Sequence, residues 1–184
     1  MTTINILMTT LRDRGGAQYG NEAVTYLQHA LQCANLAQQN GEPDSLVAAC
    51  LLHDIGHMMH GLGEDAAQQG IDDRHEYLAQ RYLTPLFGSD VTEPVRLHVE
   101  AKRYLCAINK RYWDSLSAAS KTSLELQGGT FSKSAAKRFI YQRYAPDAVK
   151  LRLWDDQAKV SDHNTPDLDH FLPVLQACQA AVVR

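Results

Sequence analysis

Residues 44–59, DSLVAACLLHDIGHMM, carry apolar side chains every third or fourth position, and the stripe they trace turns polar at its end. Leu46, Cys50, His53 and His57 are separated by four, three and four residues, which places them on one face of a helix. Residues 91–107 repeat the arrangement, with Val91, Val95, His98 and Lys102 at the same intervals. Inward imidazole or ammonium groups are costly unless they are paired, hydrogen-bonded or bound to a metal or an anion. Two such stripes therefore predict a polar centre shared by two helices.

The three-to-four period runs through most of the chain, and period-two alternation rich in β-branched residues is hard to find. The expected fold is all-α, with residues 1–184 forming a single helical domain and helices over 3–13, 22–39, 44–59, 72–86, 91–107, 110–118, 120–127, 131–144, 146–157 and 167–181. GEPD at 41–44 and GSD at 88–90 open two of them, Pro94, Pro146 and Pro166 fall near starts, and Gly128-Gly129 breaks the chain. Residues 60–71, HGLGEDAAQQGI, read as a loop.

Composition removes several function classes. A net charge of -3 offers no basic surface for nucleic acid or anionic lipid. No apolar run approaches the roughly 20 residues of a membrane span. Four widely spaced cysteines without a CxxC pair, and no secretory signal in MTTINILMTTLRDRGG, point to a cytoplasmic protein with reduced thiols. Oligomeric state is not readable from the chain.

A lone inward histidine is ordinarily a hydrogen-bonded core residue, and His60, His163 and His170 are read that way. The His53-Asp54 pair differs: adjacent residues on a helix lie about 100° apart, so both side chains reach one metal, or two if the carboxylate bridges. With His57 one turn on, a metal site is the expectation.

The order His29, His53-Asp54, Asp155 is similar to the H…HD…D signature of the HD-domain superfamily of metal-dependent phosphohydrolases, and the added His75 and His98 resemble its two-metal branch. The chain more closely resembles the HD-domain mixed-valence di-iron oxygenases of organophosphonate degradation, the PhnZ and TmpB type. The matching stretches are YGNEAVTYLQHALQCA (19–34), LLHDIGH (51–57), EAKRYL (100–105), LSAASKTSLELQGG (116–129) and RLWDD (152–156). HDxGH alone is shared with hydrolases; Tyr19-x-x-Glu22, HxxxKRY and LQGG are the specific part.

The resemblance implies an HD-domain helical bundle holding two iron ions as a mixed-valence Fe(II)/Fe(III) pair. One would be held by His29, His53, Asp54 and Asp155, the other by His75 and His98, with Asp54 bridging. It implies that Lys102, Arg152, His57, Ser120 and Gln127 meet a phosphonate, that Tyr19 occupies the second iron until substrate displaces it, and that Glu22 faces the substrate's nitrogen. Structural alternatives stand beside these roles. Arg152 also reads as a surface ion pair with Asp156, Ser120 as the cap of helix 120–127, Gln127 as a turn residue and Glu22 as a first-turn acid.

The implied reaction is O2-dependent cleavage of a C–P bond, with a small hydroxyphosphonate as the only other partner. 1-Hydroxy-2-(trimethylammonio)ethylphosphonate, giving glycine betaine and phosphate, is favoured; 2-amino-1-hydroxyethylphosphonate giving glycine, or metal-dependent phosphoester hydrolysis, are the alternatives.

Overall fold

Caps and side-chain hydrogen bonds set the helix boundaries in a computed structural model that describes residues 2–59 and 70–180. Thr3 caps α1 (Ile4–Arg14), and Thr25 with Gln28 forms a capping box on α2 (Tyr26–Gln39). Then come α3 (Asp44–Leu52), α4 (His75–Leu83), α5 (Ser89–Ile108), α6 (Lys110–Ser115), α7 (Ala118–Leu126), α8 (Lys133–Ile140), α9 (Ala145–Gln157) and α10 (Leu172–Ala177). Short 3₁₀ turns occupy Ile55–Met58 and Leu168–Phe171. The fold is all-α: among the described residues extended pairing is limited to two isolated bridges, Gln18 with Thr25 and Phe87 with Gln179. No described helix is long and apolar enough to cross a membrane.

Several expected boundaries are corrected. The helix expected over 22–39 starts at Tyr26, because residues 17–26 double back on themselves. The amides of Tyr19 and Tyr26 donate to Val24 and Ala17 at 2.9 and 3.0 Å, and Gly20 takes φ +53°, a left-handed value that costs glycine little. Tyr19 and Glu22 therefore lie on a tight loop, not one helical turn apart.

The helix expected over 44–59 ends at Leu52. Asp54 leaves the helical region (φ -101°, ψ 7°), and His57 follows on the 3₁₀ turn. Gly56 explains the break: a Cβ there would lie 2.1 Å from the His75 carbonyl oxygen, so only glycine lets this turn meet the start of α4.

Helix 72–86 starts instead at His75, where Asp72 and Asp73 accept the backbone N–H groups of Arg74 and His75. Pro94 lies inside α5, beyond its first turn. The expected helices 131–144 and 167–181 are shorter, and residues 60–69, with His60, and 181–184 lie outside the described residues.

α5 packs against α3, α4, α8 and α9. Its expected stripe is real: Val91 and Val95 are fully buried in the main core with Leu46, Leu52 and Leu151, while His98 and Lys102, one and two turns on, are 2% and 3% exposed. Burying each aliphatic side chain contributes roughly 1.5–3 kcal/mol. Their number rigidly sets where the stripe's polar end lies.

Candidate active site

Six metal-competent side chains converge from five elements. His29 comes from α2, His53 and Asp54 from the end of α3, His75 from the first position of α4, His98 from α5 and Asp155 from α9; none is more than 5% exposed. The ligand atoms of His29, His53 and Asp155 lie within 4.8 Å of one another, as do those of Asp54, His75 and His98. Asp54 joins the groups. Its Oδ2 is 3.3 Å from His53 Nε2 and 3.7 Å from His29 Nε2, while Oδ1 is 3.3 Å from His75 Nε2 and 3.6 Å from His98 Nε2.

Each histidine is oriented through its other nitrogen. Nδ1 of His29, His53 and His98 donates to the carbonyls of Ala158, Cys50 and Val95 at 2.7–2.8 Å, and Nδ1 of His75 donates to Asp73 Oδ1 at 2.9 Å. All four Nε2 atoms therefore turn inward, with His29 facing His53 at 3.3 Å and His75 facing His98 at 3.1 Å. Two lone pairs that close repel unless a cation or a proton lies between them. Metal-ligating histidines ordinarily donate one ring N–H to a carbonyl or carboxylate, which fixes the tautomer and aims the other nitrogen at the metal.

The protonation pattern agrees. Burial lowers His29 to about 4, whereas at His53 burial is outweighed by the neighbouring Asp54 carboxylate, which lifts it to about 10. His98 is likewise lowered well below its usual value by burial and by His75; His75 is raised against burial by Asp54 and Asp73. In each facing pair one imidazole is favoured as the charged partner and the other as the neutral one. Neither oxygen of buried Asp155 accepts a hydrogen bond, although Arg152 Nη1 forms an ion pair with it at 2.5 Å. Imidazole and carboxylate donors with no thiolate fit iron and similar divalent metals. The two groups fit a two-metal centre, with Asp54 shared between them.

A cavity of about 140 Å³ opens beside this cluster, well under the roughly 300–1,000 Å³ of pockets for drug-sized ligands. Of the expected site residues, Tyr19, Glu22, Asp54, His57, His75, His98, Lys102, Ser120, Gln127, Arg152 and Asp155 line it; His29 and His53 lie behind the wall. Tyr19 Oη donates to Asp54 Oδ2 at 2.8 Å, and its ring stacks on His29 at 4.0 Å. Lys102 Nζ donates to Ser123 Oγ at 2.8 Å, and burial together with Arg152 lowers it to about 7. The fixed cation is Arg152: burial opposes its charge, but Asp155 and Asp156 more than compensate, and it also donates to Tyr112 Oη at 3.1 Å. Arg152 is 5% exposed, so its pair with Asp156 is not the surface contact considered above. The cap of α7 is Ser117, leaving the Ser120 hydroxyl at the cavity. Gln127 Oε1 is buried without a hydrogen-bond partner.

Comparison with known proteins agrees with this geometry. An HD-domain family model matches residues 26–127, which contain the histidine pairs and Asp54. A hydroxymethylphosphonate dioxygenase of Gimesia maris is 40% identical over 95% of this chain and 87% of its own length. A glycine-betaine-forming [1-hydroxy-2-(trimethylamino)ethyl]phosphonate dioxygenase of Leisingera caerulea is 39% identical over 89% and 83%. The chain belongs to the HD-domain dioxygenase family. An uncharacterized protein, L432, of Acanthamoeba polyphaga mimivirus is also similar, at 32% identity over 91% and 78%.

This HD-domain dioxygenase also uses residues that the sequence reading passed over. Asp73 Oδ2 takes the Nδ1–H of His57 at 2.6 Å while Oδ1 takes that of His75, so one carboxylate orients both stacked rings. Its place two residues before His75 was the available signal. Asp156 is legible from sequence only as an ion-pair partner of Arg152, and Tyr112, Ser123 and Lys159 carry no such signal. Tyr112 and Asp156 hold Arg152, and Lys159 Nζ reaches Ser120 Oγ at 3.3 Å, Asp156 Oδ1 at 3.5 Å and Glu22 Oε1 at 3.7 Å. The four cysteines are unpaired, and His170 makes a surface contact with Gln38.

Proposed function

We propose that this HD-domain dioxygenase uses a mixed-valence pair of iron ions and O2 to cleave the C–P bond of 1-hydroxy-2-(trimethylammonio)ethylphosphonate. The carrying observation is one carboxylate, Asp54, shared between two histidine groups at the wall of a small cavity that Lys102, Arg152 and Glu22 also line. The reaction balances as R–CH(OH)–PO₃H₂ + O2 → R–COOH + H₃PO₄, so one O2 is consumed for each phosphate formed. The iron pair would supply O2 binding and one-electron transfer, which hydrolytic chemistry lacks, while the four electrons that reduce O2 come from the substrate.

The chain's own groups account for binding and orientation. Arg152 and Lys102 offset the phosphonate charge, and a dianion arriving beside Lys102 favours its protonated form. Ser120, Ser123 and the unpartnered Gln127 carbonyl supply the polar surround. His57, fixed by Asp73, lies 3.8 Å from Asp54 Oδ1, where it can hydrogen-bond a phosphonate oxygen or hold a proton. Tyr19 closes the cavity over Asp54 and keeps water from it until substrate enters. Glu22 meets the substrate's quaternary nitrogen.

A second reading, hydroxymethylphosphonate as substrate, is favoured by the Gimesia maris relative and by the Lys159 ammonium that already faces Glu22. Turnover of both compounds and of 2-amino-1-hydroxyethylphosphonate in one reaction, reported as kcat/KM, distinguishes them. The trimethylammonio compound should lead; a lead for hydroxymethylphosphonate overturns the substrate assignment.

A further inference from the structure

Glu22 lines the cavity, and the cation that faces it belongs to the protein. Lys159 Nζ lies 3.7 Å from Glu22 Oε1, and the two side chains are only 13% and 18% exposed. Lys159 follows the last turn of α9 and Glu22 sits in the loop before α2, so helix periodicity relates neither to the other. The same ammonium lies 6.0 Å from the centre of the Tyr19 ring and within reach of Ser120 and Asp156. It is therefore shared between Glu22, which would meet a cationic substituent, and Ser120, which would meet the phosphonate. Asp156 Oδ1 is slightly nearer to it, at 3.5 Å, but Asp156 is also engaged by Arg152 and Tyr112.

We infer that Lys159 is a specificity-determining residue that stands in for a substrate cation on Glu22 and sets how strongly the enzyme prefers hydroxyphosphonates bearing a positive charge. The inference rests on the reading of the cavity as a hydroxyphosphonate site. A substrate without a cation leaves the Glu22–Lys159 pair intact. A cationic one must take Glu22 from Lys159, and its phosphonate offers Lys159 a replacement partner beside Ser120. Lys159 thereby lessens discrimination: Glu22 is never a bare carboxylate awaiting a cation, so the advantage of carrying one is reduced.

The test separates binding from turnover. Choline carries the trimethylammonium and a hydroxyl but no phosphonate, so its affinity for the iron-loaded protein, measured by calorimetry without O2, reads Glu22 alone. Lys159→Met keeps the apolar stem and removes the charge; it should bind choline about three- to tenfold more tightly than the wild type. Adding Glu22→Gln should abolish the gain, and Lys159→Arg should behave as the wild type. The kcat/KM ratio of the trimethylammonio compound to hydroxymethylphosphonate should rise in Lys159→Met by a similar factor, even if both values fall through weaker phosphonate binding.

Unchanged choline affinity in Lys159→Met overturns the inference. So does an unchanged choline affinity in Glu22→Gln alone, which needs only the native lysine and is readable if Lys159→Met does not fold, because it would mean that the cation never meets Glu22. Failure of the protein to turn over any hydroxyphosphonate would instead sink the proposed function, and the choline measurement would still be readable.

Discussion

His29 Nε2 and His53 Nε2 face each other at 3.3 Å while their Nδ1 atoms are committed to the backbone carbonyls of Ala158 and Cys50. With His29 lowered to about 4 and His53 raised to about 10, the pair holds one proton at neutral pH, and the His75–His98 pair, split in the same direction, holds another. Metal binding must expel both. Loading the metal-free protein anaerobically with Fe(II) at pH 7 should release about two protons per chain, measurable by calorimetry in buffers of different ionisation enthalpy. Release of none would mean the histidines face each other for another reason.

Asp54 is the only residue whose two oxygens serve both groups, so Asp54→Asn should lower metal content at both positions at once. Elemental analysis should show well under half the wild-type metal. Loss confined to one ion would exclude the shared role.

Gly56→Ala brings a methyl group against the His75 carbonyl, with backbone on both sides and little room to yield. Stability should fall by about 1–3 kcal/mol in urea denaturation. Because the displaced element carries His75, metal occupancy should fall with it. An unaffected protein would show that the turn can shift freely.

Lys102, lowered from 10.5 to about 7 chiefly by burial, gives a pH dependence with a definite sign. In the free enzyme its ammonium is present below pH 7 and lost above it, so kcat/KM should decline as pH rises through about 7. Lys102→Arg should move that limb upward. For folding the sign is opposite: between pH 7 and 10.5 the unfolded chain retains a proton that the folded chain has shed, so this group's penalty on stability lessens as pH rises.

Tyr19→Phe removes the hydroxyl that donates to Asp54 while keeping the ring on His29. The metal-free protein should lose about 1.5–3 kcal/mol, the usual worth of a hydrogen bond to a charged group, read from thermal or urea unfolding. No loss would show that the bond forms without stabilising the closed cavity.

Local periodicity made part of this molecule readable before its structure. The stripe Val91, Val95, His98, Lys102 needed only a regular helix, and α5 is one. The parallel stripe ending at His57 reached the right cavity through a different backbone: α3 stops at Leu52 because Gly56 must pass the His75 carbonyl, a contact between segments that spacing does not encode. Glu22 is expected in the first turn of helix 22–39, whereas Gly20 and the Thr25 capping box make the segment before Tyr26 a loop. The roles of Asp73, Tyr112 and Lys159 rest on contacts 16 to 137 residues away, such as those of Asp73 with His57 and Lys159 with Glu22, which local spacing does not encode.

The central claim is that the Asp54-centred site performs O2-dependent C–P cleavage. Its most direct test is the stoichiometry of iron-loaded protein given 1-hydroxy-2-(trimethylammonio)ethylphosphonate, with O2, phosphate and glycine betaine followed together. The account predicts one O2 consumed per phosphate and per betaine, and no phosphate under strict anaerobiosis. Phosphate released at an undiminished rate without O2 would contradict it and return the site to hydrolysis.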